Sequence, residues 1–311
     1  MKELRLSILA ICYNHEKFLD QALGSIEKLS GMKPDVWIAD DRSQDNSIQI
    51  LKRWQEKRPD WNFTFNDRNI GNCKTFNVLL NNCKGDFVID FSTDDLLIPE
   101  NIRSCLEKLN SKPEASFCYT DAIVFGEKTA KEYHFSQRIG RFKSPEGKIT
   151  RQLLGIPFIC PPAVIFRKSA LEKVGGYDES LAYEDLDIWL RLSQSFEVVY
   201  FPEVIVKYRK HKNSLSSSLF RNRNRSILQS TVSILKKISN WEEFKIKDAD
   251  YFSFVKYHLK IASALQLQVE ANEFYKILKE NGKIGIQDRL WKMISSIGFP
   301  IFSIIFWRKR N

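Results

Sequence analysis

Histidine is scarce in these 311 residues, with four in all, and the six cysteines are dispersed. Cys12, Cys73, Cys83, Cys105, Cys118 and Cys160 form no Cys-x-x-Cys pair and have no histidine cluster beside them. Such spacing excludes a structural zinc site and a dense disulfide framework, and it reads as reduced, buried thiols of a cytoplasmic protein. A glycine-rich turn is missing after the first predicted strand, where Cys12-Tyr13-Asn14-His15 stands instead. That weighs against a dinucleotide-binding oxidoreductase. No leader is evident, because Met1-Lys2-Glu3 runs straight into an apolar strand, and secretion is not expected. Nor does any apolar run reach the roughly 20 residues of a membrane-spanning helix. The best candidate, residues 293–307, has 15 and is interrupted by Pro300.

What is present is a chain with 43% hydrophobic residues, enough for a sizeable core. Its net charge of +10 is concentrated at one end: residues 220–311 hold 17 Lys and Arg against 8 Asp and Glu, nine of the ten. A near-neutral body with a basic, aromatic tail does not suggest nucleic acid; it suggests an anionic surface met by one end, with membrane lipid the leading candidate.

Hydrophobic periodicity predicts strands at 4–11, 36–40, 62–65 and 87–91, alternating with helices at 16–29, 48–58, 72–82 and 99–109. This βαβαβ alternation predicts an α/β fold with a mostly parallel sheet flanked by helices, whose ligands lie beyond the carboxyl ends of the strands. After Ser116 the pattern changes to longer strands, polar loops near 126–144 and a Pro157 to Pro162 segment, read as an acceptor-side half. From about 219 it is helical, at 227–238, 251–267, 271–278 and 287–307, and the run 214–218 reads as a hinge. Two domains are expected, 1–218 and 219–311.

Two carboxylate pairs, Asp40-Asp41 and Asp94-Asp95, each stand where an apolar run stops, so both are expected on the carboxyl edge of one sheet. Four acids on one edge need a cation or hydrogen-bond donors to neutralise them. Asp94-Asp95 offers oxygen ligands suited to Mg²⁺ or Mn²⁺, with helix capping ahead of Pro99 as an equal alternative. The Tyr13 ring could lie on a planar base while Asp41 accepts a base N–H; taken alone, Tyr13 reads as an ordinary loop residue. A third cluster, Glu184-Asp185-Leu186-Asp187, precedes Ile188, Trp189 and Leu190, where favourable interaction with a helix dipole is the competing reading. Gly175-Gly176-Tyr177-Asp178 just upstream is a tight turn able to present that cluster to a cleft.

In order along the chain, Leu6-Ser7-Ile8-Leu9-Ala10-Ile11-Cys12-Tyr13-Asn14, Ile38-Ala39-Asp40-Asp41-Arg42-Ser43, Asn69-Ile70-Gly71 with Asn77, Ser92-Thr93-Asp94-Asp95, Val174-Gly175-Gly176-Tyr177-Asp178 and Glu184-Asp185-Leu186-Asp187-Ile188-Trp189 resemble the family 2 glycosyltransferases of the GT-A fold. The resemblance covers roughly residues 4–215. It implies an inverting, nucleotide-sugar-dependent enzyme in which Tyr13 and Asp41 hold the nucleobase, usually uracil. Asp94 and Asp95 would bind the ribose and the Mg²⁺ or Mn²⁺ on the diphosphate, with His211 near the donor phosphates and their metal and Asp185 as catalytic base. Lys74, in the loop between the third strand and its helix, could reach a phosphate, with an ordinary exposed surface lysine the favoured reading. Ser92 stands where the family's Asp-x-Asp-Asp motif has its first aspartate.

The expected partners are a nucleotide-sugar donor, probed first as a UDP-sugar, and a saccharide or lipid-linked saccharide acceptor in cell-surface polysaccharide or glycolipid assembly. Residues 293–307 fit an interfacial segment on the inner face of the cytoplasmic membrane, weighed equally against a helix packed on the catalytic domain or across a homodimer. The alternatives to a transferase are a nucleotidyltransferase of related topology and a non-catalytic nucleotide-sugar-binding module.

Overall fold

The computed structural model describes residues 4–127, 129–140, 144–155, 157–212, 225–244 and 249–297. They fall into two compact units, one of Met1–Glu179 with Tyr183–Lys212 and one of Ser180–Ala182 with Asn213–Asn311. The expected hinge at 214–218 and the expected boundary at 218 lie outside the described residues, as does most of the apolar segment 293–307.

The first unit is built on β1 (Leu6–Cys12), β2 (Asp35–Asp40), β3 (Asn62–Phe65) and β4 (Phe87–Ser92), joined by α1 (Leu19–Glu27), α2 (Ser47–Lys57) and α3 (Asn72–Asn82). All seven residues of β1 are buried, as expected of a central strand covered on both faces and paired in parallel with β2 and β4. The α1 helix turns Leu19, Ala22, Leu23 and Ile26 inward at helical spacing. Trp54 of α2 stacks on Trp61 with ring centroids 5.8 Å apart. This half follows the sequence pattern closely.

The second half of the sheet contains β5 (Leu96–Leu97), β6 (Ala115–Phe125), β7 (Tyr133–His134), β8 (Val164–Arg167) and β9 (Glu197–Arg209). The strand order is β3-β2-β1-β4-β8-β6-β9-β5, with β7 on β6. Here β8 lies antiparallel between β4 and β6, whereas β6 and β9 run parallel to each other. Pro99 begins a single 3-10 turn, so α4 starts later than its proline suggests and spans Ile102–Asn110. Two further helices, α5 (Lys168–Lys173) and α6 (Asp185–Ser195), complete the unit.

The described part of the second unit is helical: α7 (Arg225–Ile238), α8 (Ala249–Ala264), α9 (Gln268–Glu280) and α10 (Ile286–Ile297). Its core includes Ile227, Leu235, Val255, Leu259, Ala271 and Phe274. The carboxylate of Glu270, 1% exposed, pairs with Arg225 at 3.1 Å and accepts from Gln229 at 3.0 Å. The expected helix 287–307 is described only as far as Ile297. Among the described residues no helix is long and apolar enough to cross a membrane.

Candidate functional site

The parallel strands β1, β2 and β4 end side by side, and the parallel register delivers their following residues to one edge. Thr93, just past β4, donates its hydroxyl to the carbonyl of Ile11 at 3.1 Å, and its oxygen, 2.9 Å from His15 Nδ1, is left to accept from that ring, which ties the β1 and β4 ends together. The next residue, Asp94, is gripped at both oxygens. Ser92 Oγ donates to Oδ1 at 2.5 Å, and His211 Nε2 lies 2.9 Å from Oδ2. Burial acts to raise the Asp94 carboxyl, but the His211 bond, the imidazole of His15 and the Ser92 hydroxyl outweigh it and hold the group below its ordinary value. Ser92 is therefore a donor to Asp94, where an aspartate would be a like charge. Burial lowers the His15 imidazole below its ordinary value.

Asp95 is 1% exposed and accepts the backbone N–H of Arg209 at 2.7 Å. Its burial and the neighbouring Asp94 charge push its carboxyl well above the ordinary range. Arg209 also donates its Nε to the Asp94 carbonyl at 2.6 Å, and its guanidinium stacks on the rings of Phe18 and Phe125 at 4.7 and 4.4 Å. These contacts bring the end of β9, and with it His211, onto Asp94-Asp95. His15 and Arg209 were not singled out from the sequence; both adjoin residues that were, and only the fold shows that their positions converge.

Asp41, 3% exposed, is held by the loop after β3. Its Oδ1 accepts Asn66 Nδ2 at 3.0 Å and Ile70 N–H at 2.9 Å, while Oδ2 accepts Gly71 N–H at 2.9 Å. A carboxylate has about four acceptor sites, so one remains for a ligand donor. Tyr13 is 44% exposed, and the left-handed Asn14 beside it (φ 59°) is fixed by its side chain accepting Gln44 N–H at 2.7 Å. Lys74 is exposed on the first turn of α3, not in the loop that precedes it.

A second acid cluster is assembled by the turn after α5. Gly175 (φ 82°) donates to the Glu172 carbonyl and Gly176 to that of Leu171, the paired bonds of a Schellman cap. A side chain on Gly176 would stand 2.5 Å from Asn77 Oδ1. Asn77 accepts Tyr177 N–H and donates to its carbonyl, both at 2.9 Å, while Arg191 donates to the carbonyls of Val174 and Gly176 and pairs with the buried Asp187. So clamped, Tyr177 donates its hydroxyl to Asp90 Oδ2 at 2.8 Å. Burial pushes Asp90 up to about 6.

Glu184 lies 3.9 Å from the Cys73 thiol and interacts with Asn72, so the start of α6 meets the start of α3. Burial, then the charges of Asp185 and Asp90, push Glu184 up to about 8. Asp185 is half-buried and accepts Leu186 N–H at 2.7 Å; burial raises its carboxyl as well. Both members of the pair are thus shifted toward their protonated forms, Glu184 by burial and like charges and Asp185 by burial.

Among the described residues no group of three or more His, Cys, Asp or Glu is placed to hold a metal ion. Mg²⁺ and Mn²⁺ sites of nucleotide enzymes use one or two protein carboxylates and draw the rest from phosphates and water. The donor set fits that pattern: adjacent ligands of an octahedral ion lie about 3 Å apart, and Asp94 Oδ2 and His211 Nε2 are 2.9 Å apart. An ion there would replace the proton shared by the pair.

Residues 7–175 match the family model described as Glycosyl transferase family 2. The chain is 28% identical over 210 residues to the amylovoran biosynthesis glycosyltransferase AmsE of Erwinia amylovora, covering 65% of this chain and 75% of that one. It superposes on S. aureus TarS 1-349, solved in complex with UDP-GlcNAc, with TM-score 0.62 at 16% identity, covering 94% of this chain and 90% of the other. The mannosyltransferase PcManGT from Pyrobaculum calidifontis, solved with GDP-Man and Mn²⁺, gives 0.57 at 16% identity over 98% and 88%. These likenesses make the fold GT-A, an α/β architecture with a helical companion.

Proposed function

Because the chain belongs to glycosyl transferase family 2 and is a glycosyltransferase, we propose that it moves a sugar from a UDP-sugar to a hydroxyl of a saccharide or lipid-linked saccharide, with inversion at the anomeric carbon. The observation that carries this reading is the ionised Asp94 beside His211 at the carboxyl edge of β1 and β4. The naming of one relative for amylovoran biosynthesis, and the UDP-GlcNAc on one structural neighbour, support the polysaccharide setting and the choice of base.

In this reading the exposed Tyr13 ring lies on the nucleobase, and the remaining acceptor site of Asp41 takes a base N–H. Lys74, on the first turn of α3, reaches toward the phosphates. Asp94 and His211, with Asp95 as the second carboxylate, would hold a divalent cation, which would supply electrostatic stabilisation to the departing diphosphate. Asp185 accepts the proton of the attacking hydroxyl, and its raised carboxyl makes it a better base than a solvated aspartate. Glu184 beside it is pushed up to about 8, which favours its uncharged form next to the base.

The test is release of nucleoside diphosphate from a panel of UDP-, GDP- and dTDP-sugars with Mn²⁺, alone and with saccharide acceptors. Metal-dependent release from a UDP-sugar, stimulated by acceptor, is expected. Pyrophosphate as the product, or no nucleotide binding by calorimetry, would contradict the proposal.

A further inference from the structure

The helix α10 is amphipathic in the opposite sense to a helix that packs by its apolar face. Ile286, Leu290 and Met293 recur at spacings of four and three residues and form one stripe along it. That stripe is turned outward, at 80%, 50% and 54% exposure. The face turned inward carries Asp288 and Ser295, at 5% and 4%, with Trp291 and Lys292 half-buried. Asp288 caps its own helix by accepting Gly285 N–H at 2.7 Å and meets Lys256 at 3.5 Å. Lys260 stands over the Trp291 ring at 5.5 Å. The inward face is therefore held by polar and cation–π contacts, and the apolar stripe contributes little to the packing of its own unit. Gln268 reaches Ser296 at 3.5 Å, so the start of α9 meets the last turn of α10.

Charge decides what covers the stripe. Arg289, exposed on the same helix, borders the stripe, and Lys283 lies just before the helix. In sequence the apolar character continues beyond the helix through Phe299, Ile301, Phe302, Ile304, Ile305, Phe306 and Trp307 and closes on Arg308-Lys309-Arg310. An apolar stripe bordered by cations matches the surface of a bilayer containing anionic lipid, where apolar side chains enter the acyl boundary and Lys and Arg meet headgroups. We propose that α10, by Ile286, Leu290 and Met293, docks the protein on an anionic membrane surface. The proposal stands apart from the transfer reaction and survives or fails independently of it.

The experiment is flotation of the full chain with vesicles of phosphatidylcholine, alone and mixed with phosphatidylglycerol, for wild type and for the triple variant Ile286→Glu/Leu290→Glu/Met293→Glu. Wild type is expected to float with the mixed vesicles at low salt and not with the neutral ones, and the triple variant to bind at least about tenfold less. Its melting temperature and nucleoside diphosphate release in solution should match wild type, since the altered side chains are exposed. Absent wild-type binding, or equal binding by the variant, overturns the proposal. So does a melting temperature several degrees lower in the variant, which would mean the stripe packs on the chain's own residues. A wild-type dimer in light scattering that becomes monomeric in the variant overturns it too, by assigning the stripe to a second copy.

Discussion

Asp94 and Glu184 are both half-buried carboxylates of the first unit, and their surroundings shift them in opposite directions. Asp94 is held low because it accepts from Ser92 and His211, so the cost of burying its charge is met by donors. Glu184 has Asn72 and a thiol near it but faces Asp185 and Asp90, and it rises to about 8. Burial pushes every carboxyl upward; donors or like charges in the immediate surroundings decide whether the push succeeds. The contrast suits the division of labour proposed here, with an acid held low for the diphosphate and its cation, and a pair held high for the acceptor.

Removing the ionised member should have the largest effect. Asp94→Ala is expected to lower metal-dependent nucleoside diphosphate release on the order of 10³-fold, since a cation contributes several kcal/mol to a developing charge. Initial rates across a Mn²⁺ titration would show it, and an unchanged metal response would detach Asp94 from the cation.

Weakening its support is a smaller break. In His211→Ala the carboxyl of Asp94 loses the bond that does most to hold it down, so its acid limb in the pH–rate profile should move to higher pH. Activity at pH 7 should fall about 10- to 100-fold. A profile identical in shape to wild type would mean that His211 does not set the Asp94 charge.

The second cluster can be probed through Asp90, whose folded value of about 6 exceeds its ordinary 3.8. Such a group favours the fold most below pH 3.8, and its contribution is lost as pH rises through about 6. Tyr177 donates to Asp90 and so favours the ionised form. Tyr177→Phe should therefore cost about 1–2 kcal/mol at pH 8 and less at pH 5. Thermal melts at both values measure the difference, and a cost independent of pH would place the loss in ring packing on Phe76 instead.

The parallel half of the sheet was legible because each strand and helix carries its own period: 62–65 and 72–82 were placed from the sequence as the structure has them. The antiparallel insertion of β8 between β4 and β6 was not, since a four-residue apolar run records neither its direction nor its neighbours. Asp41, Asp94, Asp95 and Asp185 could be picked out because their motifs stand where apolar runs end or beside a tight turn, whereas His211 entered only through the family resemblance. The roles of His15 and Arg209 depend on contacts across 78 and 115 residues of sequence, and no local pattern encodes those. The outward stripe of α10 was equally hidden: periodicity shows that a helix has an apolar face, and only packing shows which way it looks.

The most direct measurement is the transfer rate at pH 7, with donor binding checked by calorimetry, in Asp185→Asn and Glu184→Gln side by side. If Glu184 is already neutral, replacing it with an uncharged isostere should leave the rate within about threefold of wild type, whereas Asp185→Asn should bind donor normally and lose on the order of 10³-fold in transfer. A folded Asp185→Asn variant that transfers like wild type, or a Glu184→Gln variant that is the inactive one, would contradict the assignment of the base charge to Asp185.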